Sequence, residues 1–202
     1  MMKMIFIDRD GVINKDPGGW TQYQYVTELK DFHFIPGALE ALKLLHQARI
    51  QVIIVSNQAG VGKGHFTTRR LEEINSMMLA EVKNSGGKIC ETYYCIHKTE
   101  DNCNCRKPKP GMLEAAMKKH GINPRDTYII GDSKVDILAG QAAGLSTIFV
   151  LSGKTSMDEM RKWDVKPDYV FKDLLEASKW VLTKQRRKSN RAVRREKEDR
   201  KR

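Results

Sequence analysis

The chain has 202 residues, of which 30% are charged and 40% hydrophobic, and its net charge is +11. That length and balance fit one domain with a proper core and exclude a disordered or low-complexity chain. No apolar run approaches the roughly 20 residues of a bilayer span, and the short start MMKMIFI runs straight into acids, so a cytoplasmic protein with no signal segment is expected.

The first predicted strand, 4–8, ends in two aspartates one residue apart, Asp8 and Asp10, with Gly11 behind them. Ordinary turn chemistry would place such residues after any strand. A ligand site at the carboxyl edge of a parallel sheet would also need them there. Strand alternation sends Asp8 and Asp10 one way and Arg9 the other, and Gly11 permits the tight turn beyond. An insert follows at 14–31, rich in glycine and aromatics (GGWTQYQY). Its Trp20, Tyr23 and Tyr25 suit a lid over a substrate as well as they suit packing within the insert.

Pro36-Gly37 opens a predicted helix with Leu39, Leu42 and Leu45 at its apolar positions. Strand 51–56 ends in Ser56-Asn57-Gln58. Thr67-Thr68 can cap the next helix, which runs to about residue 84 with Leu71, Ile74, Met78 and Val82 on one face. Strand 92–96 leads into a second insert, 97–109, that contains Arg106-Lys107-Pro108. Pro110-Gly111 opens a third helix, closed near Gly121. Strand 127–131 ends in Gly131-Asp132-Ser133, and a helix over 134–143 stops at Gly144. Strands 146–151 and 168–171 and short helices 156–163 and 174–184 complete a domain spanning 1–183. Strands alternating with helices, and apolar runs such as VIIVS and TIFVL, predict an α/β fold with a Rossmann-like doubly wound parallel sheet.

Such a sheet would gather carboxylates, a hydroxyl and a lysine at one edge. Hard oxygen ligands of this kind suit Mg²⁺, which takes one or two carboxylates plus water and phosphate. One carboxylate can attack phosphorus, and a second can serve as general acid and base. A cation and a hydroxyl can hold the phosphoryl oxygens.

All four cysteines fall between Cys90 and Cys105. Cys95, His97, Cys103 and Cys105 make a complete set for a tetrahedral zinc ion, with no open position for catalysis. A structural Zn²⁺ that ties down the second insert is expected. Cys90 falls outside the pattern and reads as a buried strand residue. Reduced thiols agree with a cytoplasmic setting.

The ordered quartet Asp8-x-Asp10, Ser56, Lys107 and Asp132 resembles the haloacid dehalogenase (HAD) superfamily of phosphotransferases. The resemblance covers about residues 3–182. It implies a HAD-like fold with small loop insertions and no large cap domain. It implies Asp8 as nucleophile and Asp10 as general acid and base. Ser56 and Lys107 would stabilise the phosphoryl group. Asp8, Asp132 and the Asp10 carbonyl would bind Mg²⁺, with Asp136 in support. The stretches DRDGVIN, SNQAGVGKGHFT and YYCIHKTEDNCNCRKPKPGML are similar to the subgroup of D-glycero-D-manno-heptose 1,7-bisphosphate 7-phosphatases and histidinol-phosphate phosphatases. In that subgroup Asp16, Ser56, Asn57 and Gln58 would border the substrate, with Arg106 recognising it and Lys107 holding phosphate. The activity implied is hydrolysis of a phosphorylated sugar by a monomer. Histidinol phosphate and other small phosphoesters are the alternative substrates.

Three other signals carry less. Residues 59–64 (AGVGKG) mimic a P-loop, but Asn57 and Gly64 stand where Walker A needs glycine and Ser or Thr. A flexible active-site loop with Lys63 near substrate is expected instead. His33, His46, His65 and His120 fit no ligand pattern. Finally, 184–202 holds eleven bases and three acids, so +8 of the net +11 lies there. This basic C-terminal tail reads as a disordered, solvated charge run. The alternative is an arm for RNA or an acidic membrane, with a polynucleotide-end phosphatase or a nucleic-acid-binding protein as the matching functions.

Overall fold

The computed structural model describes the backbone of residues 4–199 and the side chains as far as Arg187. Strands β1 (Met4–Ile7), β2 (Gln51–Asn57), β3 (Glu91–Cys95), β4 (Tyr128–Gly131), β5 (Ser146–Val150) and β6 (Tyr169–Phe171) form one sheet in the order β3-β2-β1-β4-β5-β6. Every pairing is parallel. Helices α1 (Ala38–Gln47), α2 (Ala59–Gly62), α3 (Thr68–Asn84), α4 (Gly111–His120), α5 (Lys134–Ala142), α6 (Met157–Arg161) and α7 (Leu174–Asp199) complete it. This is the Rossmann-like doubly wound architecture that the alternating pattern predicts.

Period-two alternation divides the core between the sheet's faces. Ile5, Ile7, Ile54, Ile130 and Ile148 meet Leu42 and Leu45 of α1, Ile74 and Met78 of α3, and Ala177 and Val181 of α7. Phe6, Ile53, Val55 and Ile129 face the other way, onto Met112, Leu113 and Ala116 of α4 and Ala139 of α5. Burial of both faces explains why the strands are apolar throughout. Each fully buried isoleucine contributes about 1.5–3 kcal/mol relative to exposure.

Local signals set the helix ends. The Thr67 side chain accepts from the Arg70 amide at the start of α3. Ser133 and Asp136 form a capping box at the start of α5. Gly121, with φ +60°, ends α4 in the left-handed conformation.

Cys90, residues 59–62 and the last helix differ from what the sequence predicts. Cys90 is exposed, not a buried strand residue, because it precedes β3, which lies at the sheet's edge. Residues 59–62 form a short helix within the expected loop. The last helix does not stop at 184. It runs to Asp199, since no Gly or Pro interrupts 174–199 and the stretch is rich in Arg and Lys. The tail's last three residues, 200–202, lie outside the described residues. Among the described residues no helix is long and apolar enough to cross a membrane.

The neighbours of β1 are β2 and β4. Its carboxyl end is therefore the switch point where the chain changes its direction of growth, and there the sheet opens a crevice.

Candidate active site

A cavity of about 540 Å³ occupies that crevice. Asp8 enters it from the end of β1, Ser56 and Asn57 from β2, Asp132 from the end of β4, and Arg106 and Lys107 from the second insert. The four separated motifs thus meet at one edge. Asp10 and Asp16 also line the cavity.

Lys107 is the hub. It is 2% exposed. Its Nζ donates to the Val55 carbonyl (2.8 Å) and to Asp136 Oδ1 (2.5 Å), and lies 3.0 Å from Asp8 Oδ1. Burial would favour the neutral amine, but Asp136 and Asp8 outweigh it and hold the pKa above its ordinary value. Lys107 therefore stays charged throughout the neutral range. The Asn57 side chain fixes the lysine's backbone, accepting from its amide (3.1 Å) and donating to its carbonyl (2.9 Å). Asn57 thus borders the cavity, but its amide group serves to position Lys107.

Asp8, Asp132 and Asp136 form a buried cluster of three carboxylates able to hold a metal ion. Burial pushes Asp8 up to about 6, with Lys107 opposing and Asp136 and Asp10 adding to the rise. Burial also raises Asp132, helped by Asp136, Asp8 and Asp16. Repulsion of this kind is what a divalent cation relieves. Asp136 is engaged behind the cavity: one oxygen takes Lys107, and the other takes the Ser133 amide and hydroxyl. Asp8 and Asp132 are the two of the three that line it. The Asp10 side chain is not part of this cluster.

Glycine makes room for Asp132. A Cβ on Gly11 (φ +80°) or on Gly153 would collide with its carboxylate. The loop that carries Gly153 also brings the Lys154 amide to 3.3 Å from Asp132 Oδ2, and Ser152 Oγ donates to the Gly11 carbonyl.

Asp8 and Asp10 line the cavity and Arg9 does not, as expected, although the strand itself ends at Ile7. Arg9 points away from the cavity and is fully buried, yet its guanidinium turns back to pair with Asp10. Gln58 is also fully buried and does not line the cavity; it donates to Asp10 Oδ2 (2.7 Å) and Ser56 Oγ (3.2 Å). It supports the residues that border the cavity instead of bordering it.

The cavity's outer wall comes from the first insert and the loop after β2. Tyr23 stacks on His65 with centroids 4.4 Å apart and planes within 7°. Lys63 sits 5.7 Å from the Tyr25 ring centre. His65 and Lys154 both line the cavity, and the sequence reading assigned neither to a site. His65 had one available signal, its place within SNQAGVGKGHFT. The buried Arg106 Nη1 has no hydrogen-bond partner among the described residues.

The second insert carries the other metal-binding group. Cys95, His97, Cys103 and Cys105 converge, with Sγ–Sγ separations of 3.3–3.6 Å and the His97 Nδ1 3.3 Å from Cys105 Sγ. Burial pushes the Cys95 thiol up to about 12. At Cys103 hydrogen bonds from Cys105 and from the Arg106 backbone outweigh desolvation and bring the thiol down to about 7. Lys109 Nζ closes the loop by donating to the Asn102 carbonyl and side chain.

Comparison with known proteins places these features in context. Residues 104–177 match a family model described as "HAD-hyrolase-like". A D-glycero-beta-D-manno-heptose-1,7-bisphosphate 7-phosphatase of Neisseria meningitidis is 35% identical over 183 residues, covering 90% of this chain and 95% of that protein. A D-glycero-alpha-D-manno-heptose-1,7-bisphosphate 7-phosphatase of Photorhabdus laumondii is 31% identical, covering 74% and 82%. Among solved structures, a D,D-heptose 1,7-bisphosphate phosphatase from B. bronchiseptica, complexed with magnesium and phosphate, superposes with a TM-score of 0.83. It is 30% identical and covers 91% of this chain and 99% of its own.

Proposed function

Because this chain belongs to the HAD superfamily of phosphatases and is closely related to the D-glycero-D-manno-heptose-1,7-bisphosphate 7-phosphatases, we propose that its cavity hydrolyses the 7-phosphate of a heptose 1,7-bisphosphate. It is a Mg²⁺-dependent phosphoric monoester hydrolase of the HAD type. The observation that carries the substrate reading is the distribution of positive charge in the cavity. Lys107 lies deep, beside Asp8. Arg106, whose buried Nη1 has no hydrogen-bond partner among the described residues, lines the same cavity as Lys63 and Lys154. A bisphosphate has one anionic group for the deep lysine and a second for this outer set.

In this reading Asp8 attacks phosphorus and becomes the aspartyl-phosphate. Asp10 protonates the leaving oxygen, then takes a proton from the water that cleaves the acyl phosphate. Lys107 and the Ser56 hydroxyl hold the phosphoryl oxygens. Asp8, Asp132 and the Asp10 carbonyl hold Mg²⁺, which neutralises charge so that a phosphate dianion can approach a carboxylate. Asp16 and Asn57 edge the pocket.

The test is phosphate release from sugar, amino-alcohol and nucleotide phosphates, with Mg²⁺ and with EDTA. A preference of at least about tenfold in kcat/KM for one heptose 1,7-bisphosphate anomer is expected. Equal turnover of histidinol phosphate would defeat the substrate assignment while leaving the chemistry intact.

The Cys/His cluster is proposed to hold structural Zn²⁺. A tetrahedron with Zn–S bonds of about 2.3 Å has edges of about 3.8 Å, close to the separations seen here. Stripping this ion under reducing conditions should lower Tm by roughly 5–10 °C. Cys105→Ser should lose the zinc that elemental analysis finds in the wild type. Finding no zinc in the freshly purified wild type would reject the assignment.

A further inference from the structure

Arg9 is the largest fully buried side chain among the described residues. Its Nε donates to Asp10 Oδ1 at 3.1 Å, and its Nη2 reaches both Asp10 oxygens at 3.0 Å. The guanidinium carbon lies 6.0 Å from the centre of the Phe32 ring and 5.7 Å from that of Tyr94. Tyr94 is held in turn by Asn75 of α3, whose side-chain oxygen accepts from its hydroxyl at 2.8 Å. Two further donors reach Asp10: Asn14 Nδ2 at 2.8 Å and Gln58 Nε2 at 2.7 Å.

Stability alone gives little reason for this arrangement. Desolvating a guanidinium is costly, and an apolar side chain of similar volume often replaces a buried ion pair at no loss. Here the Arg9 Nη1 is buried and makes no geometrically sound hydrogen bond among the described residues, which adds to the cost. What the fork supplies is orientation. Asp10 can turn about its side-chain torsions; a buried bidentate guanidinium fixes the plane of its carboxylate. Proton transfer is sensitive to that plane, and a misplacement of about 1 Å can cost about 100-fold in rate.

We propose that Arg9 is a positioning residue that sets the Asp10 carboxylate for proton transfer to the leaving oxygen. The proposal rests on the reading of Asp10 as the acid and base. In the first step the bond from phosphorus to the leaving oxygen breaks as the bond from Asp8 to phosphorus forms. The proton held by Asp10 passes to that oxygen, and an alcohol departs.

The dependence on leaving group tests this. An alkyl phosphate needs the proton, because an alkoxide is a poor leaving group. Nitrophenyl phosphate does not, because nitrophenolate departs unaided. The parameter to compare is kcat/KM, which reports only the steps through departure of the first product. For Arg9→Met, kcat/KM should fall about 100-fold on the alkyl ester that the wild type turns over fastest, and less than about fivefold on nitrophenyl phosphate. Arg9→Lys keeps the charge but loses the fork, so it should recover only part of the alkyl activity; it also serves as the readout if Arg9→Met does not fold. Asp10→Asn provides the reference. If it shows the unequal loss and the Arg9 variants lose both substrates equally, or lose neither, the inference about Arg9 is overturned and the reading of Asp10 stands. If Asp10→Asn itself loses both equally, the acid and base assignment fails.

Discussion

Asp8→Asn should abolish turnover on every phosphate ester, with kcat/KM falling on the order of 10⁴-fold or more, because an amide cannot take the nucleophile's part proposed for this carboxylate. The amide is isosteric with the carboxylate, so the fold and the metal content of the Cys/His cluster stay as they were. The effect on stability has the opposite sign. Burial pushes Asp8 up to about 6 in the folded protein. An acid whose folded pKa lies above its unfolded value destabilises the fold as pH rises through that interval, and the full penalty is present above about 6. Without Mg²⁺ at about pH 8, the Asn variant therefore melts above the wild type. Mg²⁺ should then raise Tm less in the variant than in the wild type. Thermal melts with and without Mg²⁺, beside a phosphate-release assay, check both parts. Residual turnover within about 100-fold of wild type would remove Asp8 from the nucleophile's role.

Lys107→Met should be nearly as damaging to activity and far worse for folding. The substitution leaves Asp8 and Asp136 buried around an apolar side chain and the Val55 carbonyl without its donor. Breaking a buried ion pair by removing one partner costs about 3–5 kcal/mol. Phosphoryl transfer loses its deep cation as well, so kcat/KM should fall about 10³-fold. Denaturant melts should show the lower midpoint at unchanged slope. A variant with wild-type stability would mean that the lysine balances no buried negative charge in the fold.

The architecture was legible in the sequence because two periodicities declare it. VIIVS and TIFVL read as strands buried on both faces, and the leucines of 39–45 as a helix stripe. The ends of those strands carried the polar residues that gather in the cavity, and the cysteine spacing delivered four donors within reach of one ion. What the sequence could not show was which polar groups bind each other. Asn57 and Lys107 pair across 50 residues, and Gln58 reaches Asp10 across 48. Such pairs depend on strand register, which a single sequence does not reveal. That Arg9 lies off the cavity follows from alternation, but the return of its guanidinium to Asp10 does not. His65 has no chemical partner near it in sequence and gains its place only when the first insert brings Tyr23 onto its ring.

The close approach of Gly11 and Gly153 to Asp132 also limits how this gene can drift. Any side chain at either glycine collides with the carboxylate, so neither site can accept even alanine while Asp132 is present. Shortening Asp132 deletes the carboxylate yet still leaves its Cβ 2.4 Å from a Cβ at position 153, and Gly11 keeps its φ of +80°. The three codons are therefore epistatic: each possible first step is harmful, and no order of single substitutions leads across the gap. Random mutagenesis under selection for phosphatase activity should return positions 11, 132 and 153 unchanged together, although Gly11 and Gly153 carry no functional atom of their own.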